Sequence, residues 1–158
     1  ETADLVGFTT SQIKALSTSQ LVGLATGHIQ NLTGDQIGAL TSAQAQKLTT
    51  NQLVALTSDQ TASLSTSAIA AMTTAQLNAL ETVDFASLGS DPTATLTTAQ
   101  VQKLSTAQIV ALTSDQVSAL STSATAALTT AQLNALEELV SAMKNQVNIS
   151  SKMLQYSQ

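Results

Sequence analysis

The chain has 158 residues, a net charge of −5, five cationic residues (all lysine) and no cysteine. A phosphate backbone finds little to hold on to, which excludes nucleic acid as a partner; without thiols, disulfides and thiolate metal sites are excluded too. Only 9% of the residues are charged and 2% aromatic against 43% hydrophobic. Ordinary soluble domains carry about 25% charged residues, so the surface here must be built of neutral hydroxyls and amides.

Blocks of eight residues, each ending on an apolar side chain, run from residue 1 to residue 136 without an insertion. The eighth position is Leu in every block except those of Phe8 and Met72, and the fifth is apolar except at Thr61, Thr93 and Thr125. Gln fills the fourth position in eleven of the seventeen blocks, and Thr or Ser dominates the first two. One octad, Thr-Thr-Ala-Gln-Leu-Asn-Ala-Leu, occurs verbatim at 73–80 and 129–136. Repeats of this kind are units that bury their apolar face only against neighbours.

A continuous helix would carry apolar residues at alternating steps of three and five, a mean period of four that winds steeply around a 3.6-residue helix. A β-solenoid would need alternation of period two and turn glycines, and the whole chain has six glycines. One short helix per octad fits best. With Thr9 as N-cap, Gln12 falls at the third helical position and forms the capping box, while Phe8 and Ile13 form the hydrophobic staple. The second position is Thr or Ser even more regularly than the first, so it stands as the alternative cap. Isolated helices shorter than about 12–15 residues are marginal in water, so these must stack. The expected fold is all-α: a solenoid of octad helices over 1–136 with a Leu/Ile ladder inside, followed by one amphipathic helix over 137–158.

In chain order, 1–8 carries acids where Thr and Gln usually stand, and 81–88 repeats that pattern. From 9 to 40 the octads are looser, with Gly7 just before them and Gly23, Gly27, Gly34 and Gly38 within them expected to loosen the helices. Residues 41–80 match 97–136 at 30 of 40 positions, a duplication offset by 56 residues. Between the copies, Gly89-Ser90-Asp91-Pro92 reads as a kink in which Asp91 caps a helix opening at Pro92, two residues late. After Leu136 the octad stops, and Leu136, Val140, Met143, Val147 and Leu154 form a heptad-like stripe. Glu1 lies within the octad register, which suggests a piece of a longer repeat protein.

No constellation for catalysis, cofactor or metal emerges. His28 is the single histidine and stands at a Gln position, which reads as a substituted cap. Asp35, Asp59 and Asp115 each lie in the first turn of an octad helix, where the dipole favours an acid. The pairs Glu81/Asp84 and Glu137/Glu138 have no aromatic or cleft beside them. The chain is therefore expected not to be an enzyme and to need no cofactor or metal. No run approaches the roughly 18 apolar residues of a membrane span.

The octads Thr-Thr-Ala-Gln-Leu-Asn-Ala-Leu and Ser-Thr-Ala-Gln-Ile-Val-Ala-Leu resemble the "LTTAQ-x-x-A" repeats of large bacterial secreted and surface proteins, some of them adhesin-like. In the tail, Glu138-Leu139-Val140, Met143, Gln146 and Asn148 resemble the C-terminal helix of flagellar rod and hook proteins, which implies a helix that packs in an axial tube. The expected function is a stalk or filament-forming part of an extracellular or cell-surface bacterial protein. Its expected partners are other copies, neighbouring repeats of a longer chain, or a surface glycan or protein. The alternatives are an axial subunit of a flagellum-like secretion apparatus and an ice- or glycan-binding Thr array. Interaction through the tail would use Leu139, Val140, Met143, Gln146, Val147 and Leu154.

Overall fold

The computed structural model describes residues 2–156, and side chains for 5–142, 144 and 145. A 3-10 helix, Thr2–Gly7, opens the array. It is followed by α1 (Thr10–Ala15), α2 (Thr18–Val22), α3 (Thr26–Gln30), α4 (Gly34–Gly38) and α5 (Ser42–Lys47). Next come α6 (Thr50–Val54), α7 (Ser58–Ala62), α8 (Thr66–Ala71), α9 (Thr74–Ala79) and α10 (Thr82–Ser87). The array continues with α11 (Ser90–Ala94), α12 (Thr98–Lys103), α13 (Thr106–Ala111), α14 (Ser114–Ala119), α15 (Thr122–Ala126) and the long α16 (Thr130–Tyr156).

Each octad thus folds as one short helix, and the first position, not the second, is the cap. Thr9 Oγ1 accepts from the Gln12 N–H at 3.3 Å, and the Thr9 N–H donates to Gln12 Oε1 at 2.8 Å. The same closed box forms at Thr41/Gln44, Thr49/Gln52, Thr73/Gln76 and Thr113/Gln116. Corners are made of extended backbone: Leu16 lies at φ −60°, ψ 133° and Ser17 at φ −65°, ψ 155°. No described residue takes a positive φ, so the corners make no demand for glycine. That is how a solenoid is built with so few of them.

Helix packing follows a strict rule. Helix α1 packs on α4, α4 on α7, α7 on α10, α10 on α13 and α13 on α16. The series α2, α5, α8, α11, α14 and the series α3, α6, α9, α12, α15 stack in the same manner, with the opening 3-10 helix beneath α3. Three octads therefore make one turn of a three-sided coil. The 56-residue duplication is seven octads, not a multiple of three, so the second copy lies one side further round than the first.

The core is a ladder of fifth- and eighth-position side chains: Ile13, Leu21, Ile29, Leu53, Ile69, Leu77 and Phe85 are fully buried, and Leu40, Leu64 and Leu96 nearly so. Successive coils bury them against one another, as a solenoid requires.

Two expectations are corrected. The block at 89–96 is not a delayed start: α11 begins at Ser90 with Gly89 as N-cap, in register with every other octad. Pro92 occupies the third helical position, where its missing N–H would have had no intrahelical partner. Gly34 and Gly38 do not loosen α4. A Cβ on Gly34 would lie 2.6 Å from Ser63 Oγ, and one on Gly38 would lie 2.8 Å from the Ser63 carbonyl oxygen. Gly38 lets α4 approach the end of α7, since its neighbour there is backbone, whereas the Ser63 hydroxyl beside Gly34 can turn away.

The last octad and the tail form a single helix of 27 residues, Thr130–Tyr156. A missing cap is not the reason by itself, since α3, α10 and α11 start after Ala25, Glu81 and Gly89 without a side-chain cap. Beyond Leu136 the octad itself is gone: Ser141 and Lys144 stand at the fifth and eighth positions, and Leu136, Leu139 and Val140 follow at helical spacing.

Candidate interaction surface: the glutamine ladder and the two ends

The fourth-position glutamines do more than cap. A short helix leaves orphan N–H groups at its start and orphan carbonyls at its end. In Gln44, Oε1 takes the Thr41 N–H at 2.9 Å, while Nε2 donates to the carbonyls of Ile13 and Leu16, each at 2.8 Å, in the coil beneath. Gln36 reaches Leu5 and Phe8, Gln52 reaches Leu21 and Leu24, Gln60 reaches Ile29 and Leu32, and Gln76 reaches Ala45 and Leu48. Further along, Gln108 reaches Leu77 and Leu80, and Gln132 reaches Val101 and Leu104. Gln100 donates to Met72, and Gln116 to Ala86 and Leu88. Each amide is buried, and each joins the start of one helix to the end of another 28 to 31 residues earlier. The sequence announces the cap through Ser/Thr-x-x-Gln. It carries no mark of the second bond, which depends on the number of octads per turn.

Five octads past the opening coil lack this Gln, with Ala68, Ala124, Pro92, Asp84 and His28 in its place. Ala68 and Ala124 leave their caps, Ser65 and Ser121, with half a box. Pro92 supplies no amide. Asp84 is buried with no donor of its own for carbonyl oxygens, and it accepts from Ser58 Oγ at 2.6 Å across the coil boundary. His28 takes the expected capping place, its Nδ1 accepting from the Ala25 N–H at 3.1 Å, although Ala25 has no side chain to complete the box. Asp35, Asp59 and Asp115 sit in first turns, as read from the sequence. No group of three or more His, Asp or Glu among the described residues is arranged to hold a metal ion.

The burial pattern gives the coil a direction. In the opening coil the fourth-position Gln12 and Gln20 are exposed while the fifth-position Ile13 and Leu21 are fully buried. In the closing coil the order inverts: Gln116, Ala124 and Gln132 are buried, while Val117 is 41% exposed, Leu133 45%, and Thr125 also open. The fourth position therefore faces the coil before, and the fifth the coil after. Beside the closing face, a groove of about 600 Å³ is lined by Val110, Leu112, Val117, Leu136, Leu139 and Val140.

Of the tail residues singled out for interaction, Leu139 is half-buried and Val140 is 48% exposed, both in that groove. The side chains of Met143, Gln146, Val147 and Leu154 lie outside the described residues. No helix among the described residues is long and apolar enough to cross a membrane. The Thr array resolves into one column: along the side formed by α3, α6, α9, α12 and α15, the second position is Thr26, Thr50, Thr74, Thr98 and Thr122, exposed at all but Thr74.

The model of the ALTTAQ repeat matches residues 1–34, 34–66 and 93–122, more than half of the chain. The chain belongs to the ALTTAQ repeat family. No curated protein and no solved structure matches it. The ALTTAQ matches omit 67–92, the stretch that holds Ala68, Asp84 and Pro92 in place of the ladder Gln. They also stop before α16, whose likeness to flagellar axial helices rests on the sequence alone.

Proposed function

We propose that this ALTTAQ array is a structural element without catalytic activity, a stalk or filament-forming part of an adhesin-like bacterial protein at the cell surface or outside the cell. The observation that supports this best is the repeated coil interface. Gln amide bridges and an apolar layer join each coil to the next, so adding coils adds length without altering those already made. A surface of Thr, Ser, Gln and Asn offers many weak neutral contacts to glycans or proteins, and a chain without thiols suits an oxidising exterior. Small-angle scattering of the purified chain tests the reading. The expected profile is that of a rod, and duplicating residues 97–120, one further coil in register, should lengthen the rod without thickening it. A compact globular profile rejects the proposal.

A second reading, an axial subunit of a flagellum-like apparatus, is favoured by the 27-residue helix α16 with Val140 exposed on it. In that case truncation at Leu136 abolishes filament formation. Filaments that form unchanged without the tail reject it.

A further inference from the structure

We propose that the array carries a yielding seam, running once round the coil beneath α8, α9, α10 and α11, at which a stalk under load opens first. It rests on the stalk reading and names the place where that stalk would give.

Each crossing from one coil to the next has two fasteners. One is an apolar fifth-position side chain pointing forward; the other is a Gln 31 residues later, whose amide reaches back to the carbonyls. Ile13/Gln44, Leu21/Gln52 and Ile29/Gln60 have both, and so, further along, do Leu77/Gln108 and Val101/Gln132. Four consecutive crossings in the middle of the array are each incomplete. Ile37 lies under Ala68, which brings no amide. Ala45 lies under Gln76, and its methyl carries far less apolar surface than a Leu or Ile side chain. Leu53 lies under Asp84, which makes one bond with Ser58 Oγ at 2.6 Å in place of the amide bridge. Thr61 lies under Pro92 and lacks both fasteners, with its buried hydroxyl oxygen unpartnered among the described residues. The crossing after these, Ile69/Gln100, keeps a single bond to Met72.

The backbone registers the same gap. No donor among the described residues reaches the carbonyls of Leu40, Leu56 or Leu64, whereas Leu16, Leu24, Leu32 and Leu48 each receive a Gln amide. Gln76 is the one amide bridge left in the seam. Thr93 under Ala124 also lacks both fasteners, but its neighbours Phe85/Gln116 and Val101/Gln132 are bridged. In a solenoid the stability is close to a sum of repeat and nearest-neighbour terms, so a run of weak crossings parts before an isolated one. The coils on either side keep complete crossings and stay folded, so the opening lengthens the stalk and can reclose.

Hydrogen exchange of the full chain in sub-denaturing urea, read peptide by peptide by mass spectrometry, tests this. A uniform stack frays from its ends and protects its middle best. Here the amides of 57–96 are expected to exchange at least about tenfold faster than those of 21–36 and 101–116. The variant T61V/P92Q supplies both fasteners at the emptiest crossing and should slow exchange across 57–96 by a similar factor. A124Q supplies an amide outside the seam and should leave that segment unchanged. Circular dichroism checks that both variants keep their helices; if T61V/P92Q does not, the wild-type pattern alone decides. Protection that is highest across 57–96 in the wild type overturns the proposal. So does a folded T61V/P92Q chain with unaltered exchange there, or an A124Q chain that slows the segment equally. A rod by scattering without a weak middle rejects the seam and leaves the stalk reading standing; a compact profile rejects the stalk reading whatever the exchange shows.

Discussion

Gln44 holds two helices with one side chain: its Oε1 accepts from the Thr41 N–H at 2.9 Å, and its Nε2 donates to the Leu16 carbonyl oxygen at 2.8 Å, 28 residues back. No other common side chain of that length offers an acceptor and a double donor on one planar group. Glu could cap but not bridge, and Lys could bridge but not cap. The repeated Gln is thus a consequence of the helices being short, because termini make up most of each one.

The substitution Gln76→Glu separates the two roles. Glu retains the capping acceptor for Thr73 but places a carboxylate against the carbonyl oxygens of Ala45 and Leu48, 3.0 and 2.8 Å from the present donor. Leaving buried acceptors unmet costs about 1–3 kcal/mol, and more where a charge is involved. Urea denaturation at neutral pH should show at least that loss. The introduced carboxyl titrates higher in the folded chain than in the unfolded one, so the variant's stability is fully present below the unfolded pKa of about 4.3 and is lost as the pH rises through the folded value. The deficit should therefore narrow at pH 4. A deficit that does not change with pH contradicts the bridge.

Thr49 and Thr50 are adjacent, alike and both exposed, yet only Thr49 caps, its Oγ1 accepting from the Gln52 N–H at 3.2 Å. Thr49→Ala should cost about 1 kcal/mol, the usual worth of a cap. Thr50→Ala, at the first helical position, should be neutral or slightly stabilising, since Ala is the better helix former. Thermal or urea melts of the two variants side by side decide between them. Equal costs would mean that the cap alternates between the two positions.

Much of this was legible in the sequence. The octad period and the capping box at Thr9/Gln12 are local properties, fixed by residues within one turn of each other. The extent of the last helix was partly legible: the octad visibly stops at Leu136, but the fusion of 129–136 with the tail into one helix was not read. What could not be read depended on the coil. Three octads per turn follow from the angle at corners such as Leu16–Ser17, and only that number tells which carbonyl Gln44 meets. Gly38 looked like a weak helix residue because Ser63, its neighbour across the coil, is 25 residues away in the chain.

Gly38 and Gly27 give opposite forecasts for the same change. Gly→Ala in a helix interior ordinarily gains up to about 1 kcal/mol. At Gly27 a Cβ meets nothing within 4 Å, so Gly27→Ala should raise stability by about that amount. At Gly38 the Cβ would stand 2.8 Å from the Ser63 carbonyl oxygen, and a backbone atom cannot swing aside. Gly38→Ala must push α4 from the end of α7, with a net loss of about 1–3 kcal/mol typical of overpacking. Melting temperatures that rise for both variants would show the two helices to be less closely held than their spacing indicates.

Thr61 is the fifth-position residue of its octad, fully buried where most octads carry Ile, Leu or Val. Its hydroxyl oxygen has no hydrogen-bond partner among the described residues. By contrast, Thr93 Oγ1 reaches the Gly89 carbonyl at 2.8 Å and Thr125 Oγ1 the Ser121 carbonyl at 3.1 Å, each one turn back along its own helix. Burial of an unpaired hydroxyl costs about 1–3 kcal/mol by mutational measures. Thr61→Val exchanges the hydroxyl for a methyl of nearly the same shape, so it should stabilise the array by about 1 kcal/mol or more. Thr93→Val removes a hydroxyl whose hydrogen bond is made and should give no such gain. Urea midpoints of the two variants test the contrast. A loss at Thr61 would mean that its hydroxyl finds a partner in solution, the Thr57 carbonyl one turn back being the nearest equivalent of the bond made at Thr93.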